Sequence, residues 1–221
     1  MIKIYLEDEH IVVCEKPYGV LSQSGSGQNM PELLSAQLGS EIYPVHRLDT
    51  TTTGAMVFAK TKESAGALSA QIANGKMDKR YLAVCHGVLP ESGEMRDFLY
   101  HDKLKNKSFV VKNERKGARE AILEFYTRGR TFFKEKELSL VEIHLLTGRT
   151  HQIRVQLSYH GNVLYADGKY GARDNGKIAL HSYNLTLTHP VTGRTLEFTS
   201  LPSGEIWELF ENEISALENK A

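Results

Sequence analysis

Short β-forming runs, each closed by turn residues and rarely followed by a helix, constrain this chain most. Residues 2–6 and 11–14 form the first pair, and Lys16-Pro17-Tyr18-Gly19 then breaks the chain with turn chemistry. Residues 54–60 read as a buried strand and 81–88 as another. Residues 121–126 and 138–146 read as a pair around the polar turn Arg128-Gly129-Arg130. Residues 178–188 and 195–199 make a late hairpin across His189-Pro-Val-Thr-Gly193. Helices are fewer. One is expected from the N-cap Asn29 through Leu38, with Pro31 in its first turn. Another runs from about Thr61 to Asn74, with Ala65, Leu68 and Ile72 on its buried face. A third runs from near Thr150 to the C′ glycine Gly161. The tail from Ser203 places Ile206, Leu209, Phe210, Ile214 and Leu217 on the stripe of one amphipathic helix. The class is therefore α+β, a mixed and largely antiparallel sheet flanked by helices. No repeat or low-complexity tract interrupts it, and one domain over 1–221 is the simplest organisation.

The 27 basic and 27 acidic residues cancel, so a polyanion partner must meet a local patch rather than bulk charge. Such a patch exists: Lys103, Lys105, Lys107, Lys112, Arg115, Lys116 and Arg119 cluster, with Tyr100 and Phe109 interleaved. It suits a phosphate backbone with stacking rings, and equally a solvated loop between strands. Cys14 and Cys85 lie in strand patterns and read as buried small hydrophobes, suited to a reducing compartment. No apolar run reaches the ~18–20 residues of a membrane helix, and acids stand within the first ten residues, so a cytoplasmic protein is expected.

Three segments concentrate polar chemistry. His46, Arg47 and Asp49 precede a buried strand, where a loop on a rigid scaffold projects them. Alone, they fit a surface ion pair as well as an aimed carboxylate. Thr147–Gln156 places Arg149, His151, Gln152 and Arg154 at a helix start, an anion-binding arrangement that also describes an exposed basic face. Leu180-His181 and His189-Pro190 are the third, ordinary as isolated strand histidines. No metal-ligand spacing and no phosphate-cradling glycine loop appears.

Together the segments are far more specific. His46-Arg-Leu-Asp49 with Thr52-Thr53-Gly54 resembles the H-R-L-D-x-x-T-S-G motif of the RluA-type pseudouridine synthases. Lys79-Arg-Tyr81-Leu-Ala83 with Gly87 resembles their K-x-Y-x-A-x-x-x-G, and Gly148–Arg154 their G-R-T-H-Q-I-R. Leu180-His181, His189-Pro190 and the opening Leu6–Leu21 stretch fit as well, so the resemblance runs from about residue 4 to 200.

The resemblance implies an enzyme that isomerises uridine in structured ribosomal or transfer RNA, without cofactor or metal. It implies Asp49 as the essential carboxylate, Tyr81 as the ring near the target base, and Arg154 as the partner of Asp49. Arg47 would help extrude the base, and His46, Arg149, His151 and Gln152 would complete the substrate-binding set. No S4-type RNA-binding domain is expected, and a monomer is. The departures are Thr53 for serine, Gln156 for a frequent histidine, and Ala166 for the first glycine of L-x-G-D-x-x-Y-G. The rival readings are a non-catalytic RNA-binding module and a hydrolase pairing His46 or His151 with Asp49.

Overall fold

A computed structural model describes residues 1–218. In chain order its strands are β1 (Ile4–Glu7), β2 (Ile11–Lys16), β3 (Tyr43–Pro44), β4 (Thr53–Ala59), β5 (Asp78–His86) and β6 (Ser92–Asp102). They continue as β7 (Lys107–Val111), β8 (Ala118–Phe133), β9 (Lys136–Leu145), β10 (Leu180–Thr188) and β11 (Thr195–Thr199). The helices are α1 (Met30–Leu38), α2 (Lys62–Ala73), α3 (Gln152–Tyr159), α4 (Glu205–Glu208) and α5 (Glu211–Glu218). The chain divides into two compact units, Met1–Lys79 with His181–Pro202, and Arg80–Leu180 with 203–218. The α+β class with a largely antiparallel sheet is borne out.

In the first unit the strand order is β1-β2-β4-β10, with β3 added to β4 and β11 to β10. Only β4 and β10 run parallel, with Thr53 opposite His181 and Gly54 opposite Ser182. Ile11, Val13, Ala55, Val57, Leu185 and Leu187 form the core, and α2 covers it with Leu68. The capping residues act as their chemistry demands. Asn29 Oδ1 accepts the Glu32 N–H at 3.1 Å and Thr61 Oγ1 the Ser64 N–H at 3.1 Å, satisfying first-turn donors.

The second unit orders its strands β5-β9-β8-β6-β7, all antiparallel. Leu99 and Ala121 from this sheet pack with Val155 of α3 and with Tyr170. Three details differ from the sequence reading. The segment Arg128-Gly129-Arg130 is no turn: β8 passes through it with a register shift between Thr127 and Gly129. The reversal falls at Lys134-Glu135, both left-handed at φ 49° and 63°. The basic cluster, for which a solvated loop between strands was one of two readings, lies partly in the β6–β7 hairpin of residues 92–111. The tail is two short helices rather than one. The break falls after Glu208, and Trp207 and Phe210 are buried beside it, as are Ile214 and Leu217 in α5.

Candidate active site

The loop carrying Asp49 is fastened from several sides within the first unit. Lys16 closes β2 in phase with Val12 and Cys14, and its side chain is 0% exposed. Its ammonium donates to the carbonyls of Pro17 (2.9 Å), Thr50 (3.1 Å) and Thr52 (2.8 Å). Burial pushes its pKa down to about 8, while the negative charge of Asp49 acts the other way. Gly19, left-handed at φ 83°, donates its N–H to Thr50 O at 2.9 Å, and Ser22 Oγ donates to Leu48 O at 2.8 Å. The Thr52 N–H closes back onto Asp49 O at 3.0 Å. The backbone of this short loop is thereby held in place.

Residues flanking the loop are equally committed. His46 Nε2 accepts the Val57 N–H at 3.1 Å, and burial with the nearby charge of Lys79 drives its pKa down to about 3. The ring is therefore neutral, and Arg47 beside it is exposed. Thr53 Oγ1 lies 2.7 Å from His181 Nδ1. His181 Nε2 is 3.0 Å from Ser200 O, which can only accept, so Nε2 carries the proton and Nδ1 accepts the Thr53 hydroxyl. Burial holds His181 near pKa 4, neutral throughout the physiological range. At Gly54 an added Cβ would stand 2.3 Å from Ser182 O, so the strand pair admits glycine alone.

The second unit gathers Arg149, His151, Gln152 and Arg154 at the start of α3. His151 caps that helix in the left-handed region at φ 55° and sets its Nδ1 2.9 Å from the Tyr170 hydroxyl. Gln152 Oε1 accepts the Thr147 hydroxyl at 2.9 Å and the Arg149 N–H at 3.0 Å, and Nε2 donates to Ile122 O at 3.1 Å. Arg149, partly exposed, donates from Nε to Glu120 O at 2.8 Å. Arg154 is 5% exposed and donates from Nε and Nη2 to the two Asp167 oxygens at 2.7 and 2.8 Å. Tyr81 lies on β5 opposite Ile143, 6% exposed.

The basic cluster lies on and beside β6 and β7. Six of its seven cations are exposed, Lys107 being half-buried. Arg115 stands 4.9 Å over the Tyr100 ring and Lys107 5.8 Å over Phe109.

A family model described as RNA pseudouridylate synthase matches residues 10–159. The chain belongs to that family. Its members are RNA-modifying isomerases, and the resemblance to the RluA type stands. The chain is 32% identical to the uncharacterized RNA pseudouridine synthase YlyB of Bacillus subtilis, over 96% of this chain and 72% of the relative. It is 29% identical to ribosomal large subunit pseudouridine synthase D of Zymomonas mobilis, over 95% and 72%. It is also 29% identical to tRNA pseudouridine synthase C of Vibrio parahaemolyticus, over 88% of each. The solved structure of human RNA pseudouridylate synthase domain containing 1 shares the fold, with a TM-score of 0.80 and 20% identity, covering 95% of this chain and 86% of that one. Among the described residues no helix is long and apolar enough to cross a membrane.

Two residues of consequence escaped the sequence reading as site members. Lys16 looks like a strand-end lysine, although its phase with Val12 and Cys14 marks an inward side chain. Asp167 stands inside an otherwise loosely matching motif, and only its buried bond with Arg154 reveals it.

Proposed function

We propose that this enzyme converts particular uridines of structured ribosomal or transfer RNA into pseudouridine, acting as a cytoplasmic monomer without metal or cofactor. In that reaction the C1′–N1 bond breaks, C1′ bonds to C5, the C5 proton leaves, and N1 gains a proton. Asp49 is the catalytic carboxylate, either adding to C1′ or removing the C2′ proton. Both roles need an aimed anion. The observation that carries this reading is the Asp49 loop itself, fastened through its Thr50 and Thr52 carbonyls to the buried Lys16 ammonium.

The target base leaves its stack at a cost of a few kcal/mol. The exposed Arg47, next to His46 on the Asp49 loop, is placed to offset that cost by filling the gap or holding a phosphate. Tyr81 supplies a ring face for the extruded uracil, and Arg154 the positive charge opposed to Asp49. Arg149 contacts substrate from the start of α3, and His151 and Gln152 complete that surface by fixing the backbone that presents it. The exposed lysines and arginines of residues 103–119 meet the phosphate backbone outside the reacting nucleotide. Relatives named for ribosomal and for transfer RNA both support RNA as the substrate class.

The test is tritium release from [5-³H]uridine-labelled large-subunit ribosomal RNA and transfer RNA. Asp49→Ala is expected to abolish release while the circular dichroism spectrum stays that of the parent. Unchanged release by a folded Asp49→Ala protein overturns the assignment.

A further inference from the structure

Arg154 reaches its position through four rotatable bonds, from a helix of only eight residues with no side-chain cap. Something must aim the guanidinium. Asp167, 0% exposed, grips it edge-on through both oxygens, which fixes the plane of the group as well as its place. The guanidinium carbon stands over the Tyr170 ring, 5.3 Å from its centre. Both partners come from one tight turn, in which the Tyr170 and Ala172 N–H groups close onto Asp167 O at 3.0 and 3.1 Å.

The turn is itself anchored. The Tyr170 hydroxyl accepts the Ser108 N–H at 2.9 Å and stands 2.9 Å from His151 Nδ1. Ser158 Oγ donates to Tyr170 O at 2.8 Å. Lys107 donates to Lys169 O at 2.6 Å, and Lys169 to Asn106 O at 2.9 Å.

A buried ion pair is weak evidence of stabilisation, because desolvation offsets most of the attraction and apolar side chains of the same volume hold a core as well. What a bidentate carboxylate supplies and an apolar group cannot is direction. A charge used in catalysis must be held within about 0.5 Å and 10–20° of its working geometry. We propose that Asp167 and Tyr170 are positioning residues that aim Arg154 for the isomerisation. This rests on the part in the reaction given above to Arg154.

The experiment compares single and double variants on the RNA from which the parent protein releases tritium. Asp167→Asn keeps the shape of the side chain and loses its charge. It is expected to lower kcat about 10–100-fold, the scale of a misplaced group, with KM held within about two-fold. Tyr170→Phe keeps the ring and removes the tether, and a several-fold loss of kcat at steady KM is expected. Because Asp167 acts through Arg154, Arg154→Met with Asp167→Leu should be no slower than Arg154→Met alone, and should melt no lower.

Folded Asp167→Asn with kcat within about two-fold of the parent overturns the proposal for Asp167, and unchanged kcat in Tyr170→Phe overturns it for Tyr170. If Asp167→Asn does not fold, the double variant and Tyr170→Phe decide. A further loss of about ten-fold or more in the double variant shows Asp167 acting on its own and also overturns the proposal. Parental turnover in Arg154→Met instead removes the role of Arg154 itself, a separate failure read from the same series.

Discussion

Replacing Lys16 by methionine keeps the length of the side chain and removes a charge from a fully buried position. Thr50 O still receives the Gly19 N–H, but the Pro17 and Thr52 carbonyls lose the ammonium donor. A buried acceptor left without a partner costs about 1–3 kcal/mol, so two cost about 2–6 kcal/mol, which removal of the buried charge partly offsets at neutral pH. The pH dependence is more telling. The Lys16 pKa falls from 10.5 to about 8 in the fold, so the folded state disfavours the charged form by about 3 kcal/mol. Between those two values the unfolded chain binds more protons than the folded one, and stability contributed by this group rises with pH. At about pH 9.5 the gain is about 2 kcal/mol for the parent and absent from the variant. Cys14 and Cys85 weaken the fold in the same window, but equally in both proteins, so they cancel in the difference. Urea midpoints read from the fluorescence of Trp207, the single tryptophan, measure the gap at both pH values. The gap between parent and variant should widen on going alkaline. A gap that is constant or narrows would refute the account, because a lysine stabilised by its partners has a raised pKa and the opposite trend.

Gly54→Ala places a Cβ 2.3 Å from Ser182 O at a backbone φ of 110°, and a loss of about 3 kcal/mol or more is expected in thermal melts. Ala166 stands left-handed at φ 59°, so Ala166→Gly should raise stability by about 0.5–1 kcal/mol, measured by urea titration. Changing Lys103, Lys105 and Lys116 together to glutamine should lower the slope of log affinity for RNA against log salt by about 2–3, without shifting the melting temperature. Filter binding across a salt series checks it, and an unchanged slope places the phosphate contacts elsewhere.

Where local chemistry decides local structure, the sequence was readable. Asn29 and Thr61 mark helix starts because a short polar side chain reaches a first-turn N–H, and His189–Gly193 marks a hairpin because glycine relieves its turn. The β8–β9 reversal was not readable, since Lys134 and Glu135 take left-handed conformations without the asparagine or glycine that usually signals them. Gly129 gave a false signal: it admits the approach of Glu213, whose Cγ would lie 2.9 Å from an added Cβ. The β6–β7 hairpin was hidden by its charge, because its lysines face solvent and blur the alternation. At the candidate site the motif residues were legible as chemistry. The inward course of Lys16 and the grip of Asp167 on Arg154 are tertiary facts, since burial of two opposite charges thirteen positions apart in the chain is settled only by packing.

The two cysteines, both sealed from solvent with thiols pushed up to about 12, have a practical consequence. Neither offers thiolate to an alkylating reagent while its surroundings hold, so modification waits for opening. Cys14 belongs to the first unit and Cys85 to the second. The mass gained at each position over time in iodoacetamide therefore clocks the opening of each unit separately, in the unaltered protein and without a fluorophore.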